Sequence, residues 1–187
     1  MAKRIERARL SIAAGNAIQG TMLAGGIAAL ALSTSDAAIP ARTVSMIAGY
    51  LLIYFGAHAP AHWLVGRLAG IRFTHYSIGG ATHAALYPPG MRQLFERLPF
   101  FAVHVDKTSL RTASPLGQAM MFGAGMTSSA LLCTLAAAWC AVGGAPGGVV
   151  LLIANAIWFA GALVAEMRTR GDYAKAAQAL VFRQQDR

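Results

Sequence analysis

The chain has 187 residues, 56% of them hydrophobic and only 12% charged, with 16 Lys and Arg against 7 Asp and Glu for a net charge of +9. Soluble domains carry roughly 25% charged residues, so an ordinary soluble domain is excluded, and the length suits one compact domain. In a soluble chain such a cation excess would suggest nucleic acid. In an apolar chain the question is where the cations fall between the apolar runs.

Residues 1–9 are polar and basic, with Lys3, Arg4, Arg7 and Arg9. An apolar run over about 10–32 is long enough to cross a bilayer. Its Gly15, Gly20, Gly25 and Gly26 suit close approach of a neighbouring membrane helix. A basic start before an apolar run is also the layout of a signal peptide, but this run is long for one, and a retained helix is expected. After a polar connection with Asp36 and Pro40, a second apolar run spans about 44–65 and contains His58 and His62.

The composition changes over 66–115, which holds Arg67, Arg72, Arg92, Arg97, Lys107 and Arg111 together with His75, His83 and His104. Turn signals stand at Gly79-Gly80 and Pro88-Pro89-Gly90. Residues 71–78 mix β-branched and aromatic residues with polar ones and read as a short strand. Residues 91–98 read as a short interfacial helix and 100–105 as another strand. Further apolar runs cover about 116–142 and 149–167, separated by the Gly143-Gly144-Ala-Pro146 turn. A basic tail follows, with a short amphipathic helix over 173–183. Cys133 and Cys140 lie in one apolar run near one helical face, where they cannot bridge, and read as packing residues. The expected fold is therefore an all-α membrane protein with four transmembrane helices and a small mixed α/β region between the second and third.

Every Lys and Arg except Arg42 lies in the N-terminus, the 66–115 region or the tail. Cytoplasmic loops collect such residues, so both termini and the central region are expected to face the cytoplasm, in an integral protein of a bacterial inner membrane. Orientation and attraction to anionic lipid then account for the charge. The lipid bilayer and a membrane-protein partner are expected; nucleic acid is not.

His58 and His62, four residues apart, share a helical face and could direct two imidazoles at one metal ion. Counted back from Arg67, they lie roughly 14 and 8 Å inward, at depths where ionisable residues mark function. Pro60 between them lacks an N–H and predicts a kink. Hydrogen bonding to neighbouring helices, metal binding, and ligation of haem or a pigment all fit the pair. A third metal ligand would come from Glu166, Asp172 or His104. Asp172 after Gly171 also reads as the cap of the tail helix, and Glu166 as an interfacial partner of Arg168 and Arg170. Thr127, Ser128 and Ser129 read as close-packing residues that could also line a cavity facing the histidines.

The segment His58-Ala-Pro-Ala-His62-Trp-Leu-Val-Gly-Arg-Leu-Ala-Gly-Ile-Arg-Phe73 resembles the opening of the site-2 protease family of intramembrane metalloproteases. There, His-Glu-x-x-His lies near the cytoplasmic end of a membrane helix and short strands follow, which Thr74-His-Tyr-Ser-Ile-Gly-Gly80 fits. The resemblance covers about residues 50–80. It implies zinc on His58 and His62, with an acid from a later Asp-Gly motif completing the site. That motif survives only as a loose echo in Gly171-Asp172-Tyr-Ala-Lys-Ala. The family's glutamate, the general base for metal-bound water, stands here as Ala59, and such a base contributes about 10²–10⁴-fold. The resemblance thus implies an inactive, metalloprotease-like protein that binds or regulates a membrane partner. An accessory or structural subunit of a larger membrane complex is the alternative, and a protease using another base such as Glu166 a third reading.

Overall fold

The computed structural model describes residues 6–80, 89–168 and 171–185; His83 and Arg170 lie outside them. The chain forms β1 (Glu6–Leu10), α1 (Ile12–Ser33), α2 (Ile39–Leu68), β2 (Phe73–Gly79), α3 (Pro89–Arg97), β3 (Phe100–Val105), α4 (Lys107–Thr112), α5 (Pro115–Val142), α6 (Gly148–Arg168) and α7 (Asp172–Gln185). Four of these helices, α1, α2, α5 and α6, are long and apolar enough to cross a membrane.

Local chemistry sets the helix ends. The Ser11 hydroxyl accepts the Ala14 N–H at the start of α1, and Ser114 does the same for Gly117 ahead of Pro115 in α5. Each supplies an acceptor to an N–H that the helix itself leaves without one. Asp106 caps α4 through Thr108 and Ser109. α2 runs through Pro60 as one helix.

Small residues bring the long helices together. A Cβ on Gly26 would meet Ile53 and the Gly49 carbonyl, and one on Gly49 would meet the Gly26 carbonyl and Leu30. The α1 and α2 backbones thus touch where neither carries a side chain. The core joins Leu30 of α1, Met46 and Ile53 of α2, and Cys133, Ala136 and Cys140 of α5. Both cysteines are free and buried, as packing residues. Polar ties cross between helices: the Tyr50 hydroxyl donates to Asn155 Oδ1 at 2.8 Å, and Asn155 Nδ2 donates to Thr134 at 3.0 Å. Large apolar side chains such as Ile27, Leu51, Leu131, Val150 and Ile157 point outward along the four helices, a surface suited to an apolar solvent.

The sheet departs from the sequence expectation in one respect. Its order is β1-β2-β3, antiparallel throughout. The mixed region therefore is not confined to 66–115, because the basic N-terminal segment supplies an edge strand. Five residues with few apolar positions carry little strand signal, and pairing with β2 supplies what the local pattern lacks. Tyr76 is fully buried, its ring lies on Gly15 where a Cβ would overlap it, and its hydroxyl donates to Asn16 Oδ1 at 2.6 Å. That contact seats the sheet on the first turns of α1. Burial pushes the Tyr76 phenol up from its ordinary value. Arg7 donates to the Glu96 and Arg97 carbonyls at 2.7 and 2.8 Å, closing the C-terminal end of α3 against β1.

Candidate metal centre

His58 and His62 face α5 and the start of α7. Their Nε2 atoms are 3.2 Å apart, and Asp172 Oδ2 lies 3.2 Å from His58 Nε2 and 3.1 Å from His62 Nε2. The three atoms form a nearly equilateral triangle. Zinc bonds of about 2.0–2.1 Å in a tetrahedron give ligand–ligand edges of about 3.3–3.4 Å. The triangle thus has edges within about 0.3 Å of those of such a tetrahedron, a spacing that could hold a metal ion.

Neighbouring groups fix each member. His62 Nδ1 lies 2.6 Å from the Met121 carbonyl. A carbonyl only accepts, so Nδ1 carries a proton, and the neutral ring presents a bare lone pair at Nε2. That lone pair points at a carboxylate oxygen and a second imidazole nitrogen. Only a proton on Nε2 or a cation among the three atoms makes the arrangement attractive. His58 Nδ1 pairs with the Ser129 hydroxyl at 3.3 Å. Gly125 makes room for the His62 ring, since a Cβ there would overlap it.

Asp172 opens α7, yet its carboxylate turns away from the cap position. Oδ1 accepts from Lys175 Nζ at 3.1 Å, which leaves Oδ2 to the histidines. Of the two sequence readings of Asp172, the structure has the one that faces the pair. Glu166 plays a different part: its carboxylate accepts the Asp172 backbone N–H, and its own carbonyl accepts Gly171 N–H at 3.1 Å. Gly171 is needed there, because a Cβ would strike the Glu166 carboxylate. Glu166 therefore holds the backbone of Asp172 and stands outside the triangle. Burial alone would raise the Asp172 carboxyl, but when the histidines carry a proton on Nε2 in place of a metal, their hydrogen bonds to the carboxylate outweigh burial and hold the group below its ordinary value. The Tyr173 hydroxyl, 3.0 Å from Thr127 Oγ1, docks α7 on α5.

Among the third-ligand candidates, His104 is elsewhere, on β3 beside His75. The Ser129 hydroxyl does reach a histidine, while Ser128 bonds the Gly125 carbonyl at 2.9 Å within its own helix and the Ala57 carbonyl at 3.3 Å. Met121 and Lys175 were not singled out from sequence. A backbone carbonyl leaves no residue-type signal, and Lys175 reads as one of many tail cations.

The triangle borders a cleft of about 450 Å³ among α2, β3, α5, α6 and α7. Aromatic side chains form part of its walls, including Tyr54, Phe55, Phe100, Trp158 and Phe159. His62 and Asp172 are 12% and 17% exposed, His58 37%, so the imidazole of His58 is the most open part of the centre. Ala59 lies beside the pair and offers no proton acceptor. No protein-family model, curated protein or solved structure matches the chain.

Proposed function

We propose that this chain is an integral protein of a bacterial inner membrane, with both termini cytoplasmic, that holds a zinc-type divalent ion on His58, His62 and Asp172 and binds a membrane partner in the adjoining aromatic cleft. In this reading it is a divergent relative of the site-2 proteases that has kept the ligands and lost the general base. The observation that carries it is the contact of His62 Nδ1 with the Met121 carbonyl. The Met121 carbonyl commits Nδ1 to its proton, so Nε2 offers a lone pair to a position also faced by His58 Nε2 and Asp172 Oδ2. Two neutral imidazoles and one carboxylate are the donor set that borderline divalent metals take. The Met121 and Ser129 contacts are the outer partners that orient ligating histidines.

His58, His62 and Asp172 would hold the ion, and it would supply Lewis acidity beside the cleft. The chain's own residues favour binding over cleavage. Position 59 is alanine, and the Glu166 carboxylate is engaged with the Asp172 backbone. The cleft's aromatic walls suit an apolar segment of another membrane protein.

Metal analysis of the purified full chain tests the reading. About one equivalent of zinc should bind at this centre, co-purifying or loading from solution, and His62→Ala or Asp172→Asn should remove that equivalent. A wild-type protein that holds no metal at this centre would leave an imidazolium–carboxylate packing network and overturn the proposal.

A further inference from the structure

A second group of metal-type ligands lies on the sheet. Register puts it on one face. His75 pairs with His104 across β2 and β3, Ser77 with Arg9 and Gly79 with Glu6 across β2 and β1. Residues 75, 77 and 79 share a face of β2 by strand alternation, so Glu6, Arg9, His75 and His104 share it too. Glu6 and Arg9 are three apart and would face opposite ways on a regular strand. The irregularity between Glu6 and Ala8 restores their parity, as a bulge re-aims a side chain. One ligand atom from each of Glu6, His75 and His104 lies within 4.8 Å of the others.

The hydrogen bonding around the two imidazoles is lopsided. His75 Nδ1 is 2.9 Å from the Thr74 hydroxyl, while its Nε2 is buried with no hydrogen-bond partner. A buried imidazole nitrogen without a partner is costly. His104 Nε2 lies 2.8 Å from the Ser77 hydroxyl. The rings stack, with centroids 4.3 Å apart and planes 4° from parallel.

We propose that Glu6, His75 and His104 form a second site for a borderline divalent cation of the zinc class, separate from the membrane-embedded centre, which ties the N-terminal strand to β2 and β3. Two imidazoles and a carboxylate again form the donor set, and the Thr74 and Ser77 hydroxyls act as the outer partners. Closing on the ion requires one ring to leave the stack, a rotation about a broad χ2 torsion. It also requires Arg9 to release Glu6, and Arg9 is 72% exposed and free to turn into solvent. The ion replaces the Arg9 charge beside Glu6 and engages the orphaned His75 nitrogen.

The test uses the full chain in detergent with His58→Ala and His62→Ala, which remove the first centre. After loading with Zn²⁺ and desalting, this variant should retain about one equivalent of zinc, and adding His75→Ala and His104→Ala should abolish it. A His58→Ala/His62→Ala protein that keeps no zinc, or keeps it regardless of His75 and His104, overturns the proposal. The two sites fail separately, because His62→Ala or Asp172→Asn removes only the equivalent at the first centre, and His75→Ala with His104→Ala only the equivalent at the second. A measurement on the unmutated protein removes any dependence on variant folding: Zn²⁺ should protect His75 and His104 from carbethoxylation by diethyl pyrocarbonate. Equal modification with and without Zn²⁺ overturns the site.

Discussion

Gly125 of α5 and His62 of α2 meet with no room between them for a methyl group. The glycine lets the α5 backbone come close enough for the Met121 carbonyl, one turn earlier, to accept from His62 Nδ1 at 2.6 Å. Gly125→Ala should therefore push the imidazole off that carbonyl. Overpacking of this kind destabilises by about 1–3 kcal/mol, and loss of an orienting partner lowers metal affinity about 10–100-fold. Zinc competition titrations against a chromogenic chelator, with thermal unfolding in the same detergent, read both effects. Wild-type affinity in Gly125→Ala would remove His62 from the ligand set.

Asp172 makes a pH-dependent prediction for the metal-free protein. Its folded-state ionisation lies below the ordinary value of 3.8, because the histidine hydrogen bonds outweigh burial. A depressed carboxyl stabilises the fold fully above its unfolded value and loses that contribution as pH falls below it. The melting-temperature gap between wild type and Asp172→Asn should thus be present at about pH 5, above the ordinary carboxyl value. It should shrink steadily below 3.8. A gap that widens on acidification would have the sign wrong.

Much of this architecture was legible in the chain because its signals are local. Four apolar runs, separated by Asp36-Pro40, the 66–115 region and the Gly143-Gly144 turn, became α1, α2, α5 and α6 with ends shifted by a few residues. The strand expected at 100–105 is β3, and the one expected at 71–78 is β2, starting at Phe73. β1 was not legible, since its five residues become a strand only by pairing with β2. At the site, the spacing of His58 and His62 announced a shared face, but Glu166, Asp172 and His104 all stood as candidates for a third ligand, with Asp172 reading first as a helix cap. Choosing between them takes the turn at Gly171, which points one carboxylate at the histidines and the other at the Asp172 amide.

That division between Glu166 and Asp172 can be measured. Glu166→Gln keeps an acceptor for the Asp172 N–H, whereas Glu166→Ala leaves that amide without one. If Glu166 positions Asp172, the Gln variant should bind zinc nearly as wild type does. The Ala variant should lose about 10-fold, at the lower end of outer-shell effects. Gly171→Ala should resemble Glu166→Ala, because its methyl group would displace the same carboxylate. Equal, large losses in Glu166→Gln and Glu166→Ala would make Glu166 a ligand instead.

Arg42 is the exception to the charge map, the one cation of 16 outside the N-terminus, the 66–115 region and the tail. Its guanidinium is engaged: Nε donates to the Ser33 carbonyl at 3.0 Å and Nη2 to the Gly144 carbonyl at 2.7 Å. It thereby joins the C-terminal end of α1 to the turn between α5 and α6, at carbonyls the helices leave open. Its role is structural, so Arg42→Ala should destabilise the protein by about 1–3 kcal/mol, as loss of charged hydrogen bonds does, and leave orientation unchanged. In intact inner-membrane vesicles of known sidedness, a membrane-impermeant maleimide should label Asp36→Cys from the periplasmic face and Gln178→Cys from the cytoplasmic face, with or without Arg42. The native Cys133 and Cys140, both buried, give little background. Labelling of both positions from one face would refute the four-span topology, and inverted labelling would refute the orientation drawn from the other 15 cations.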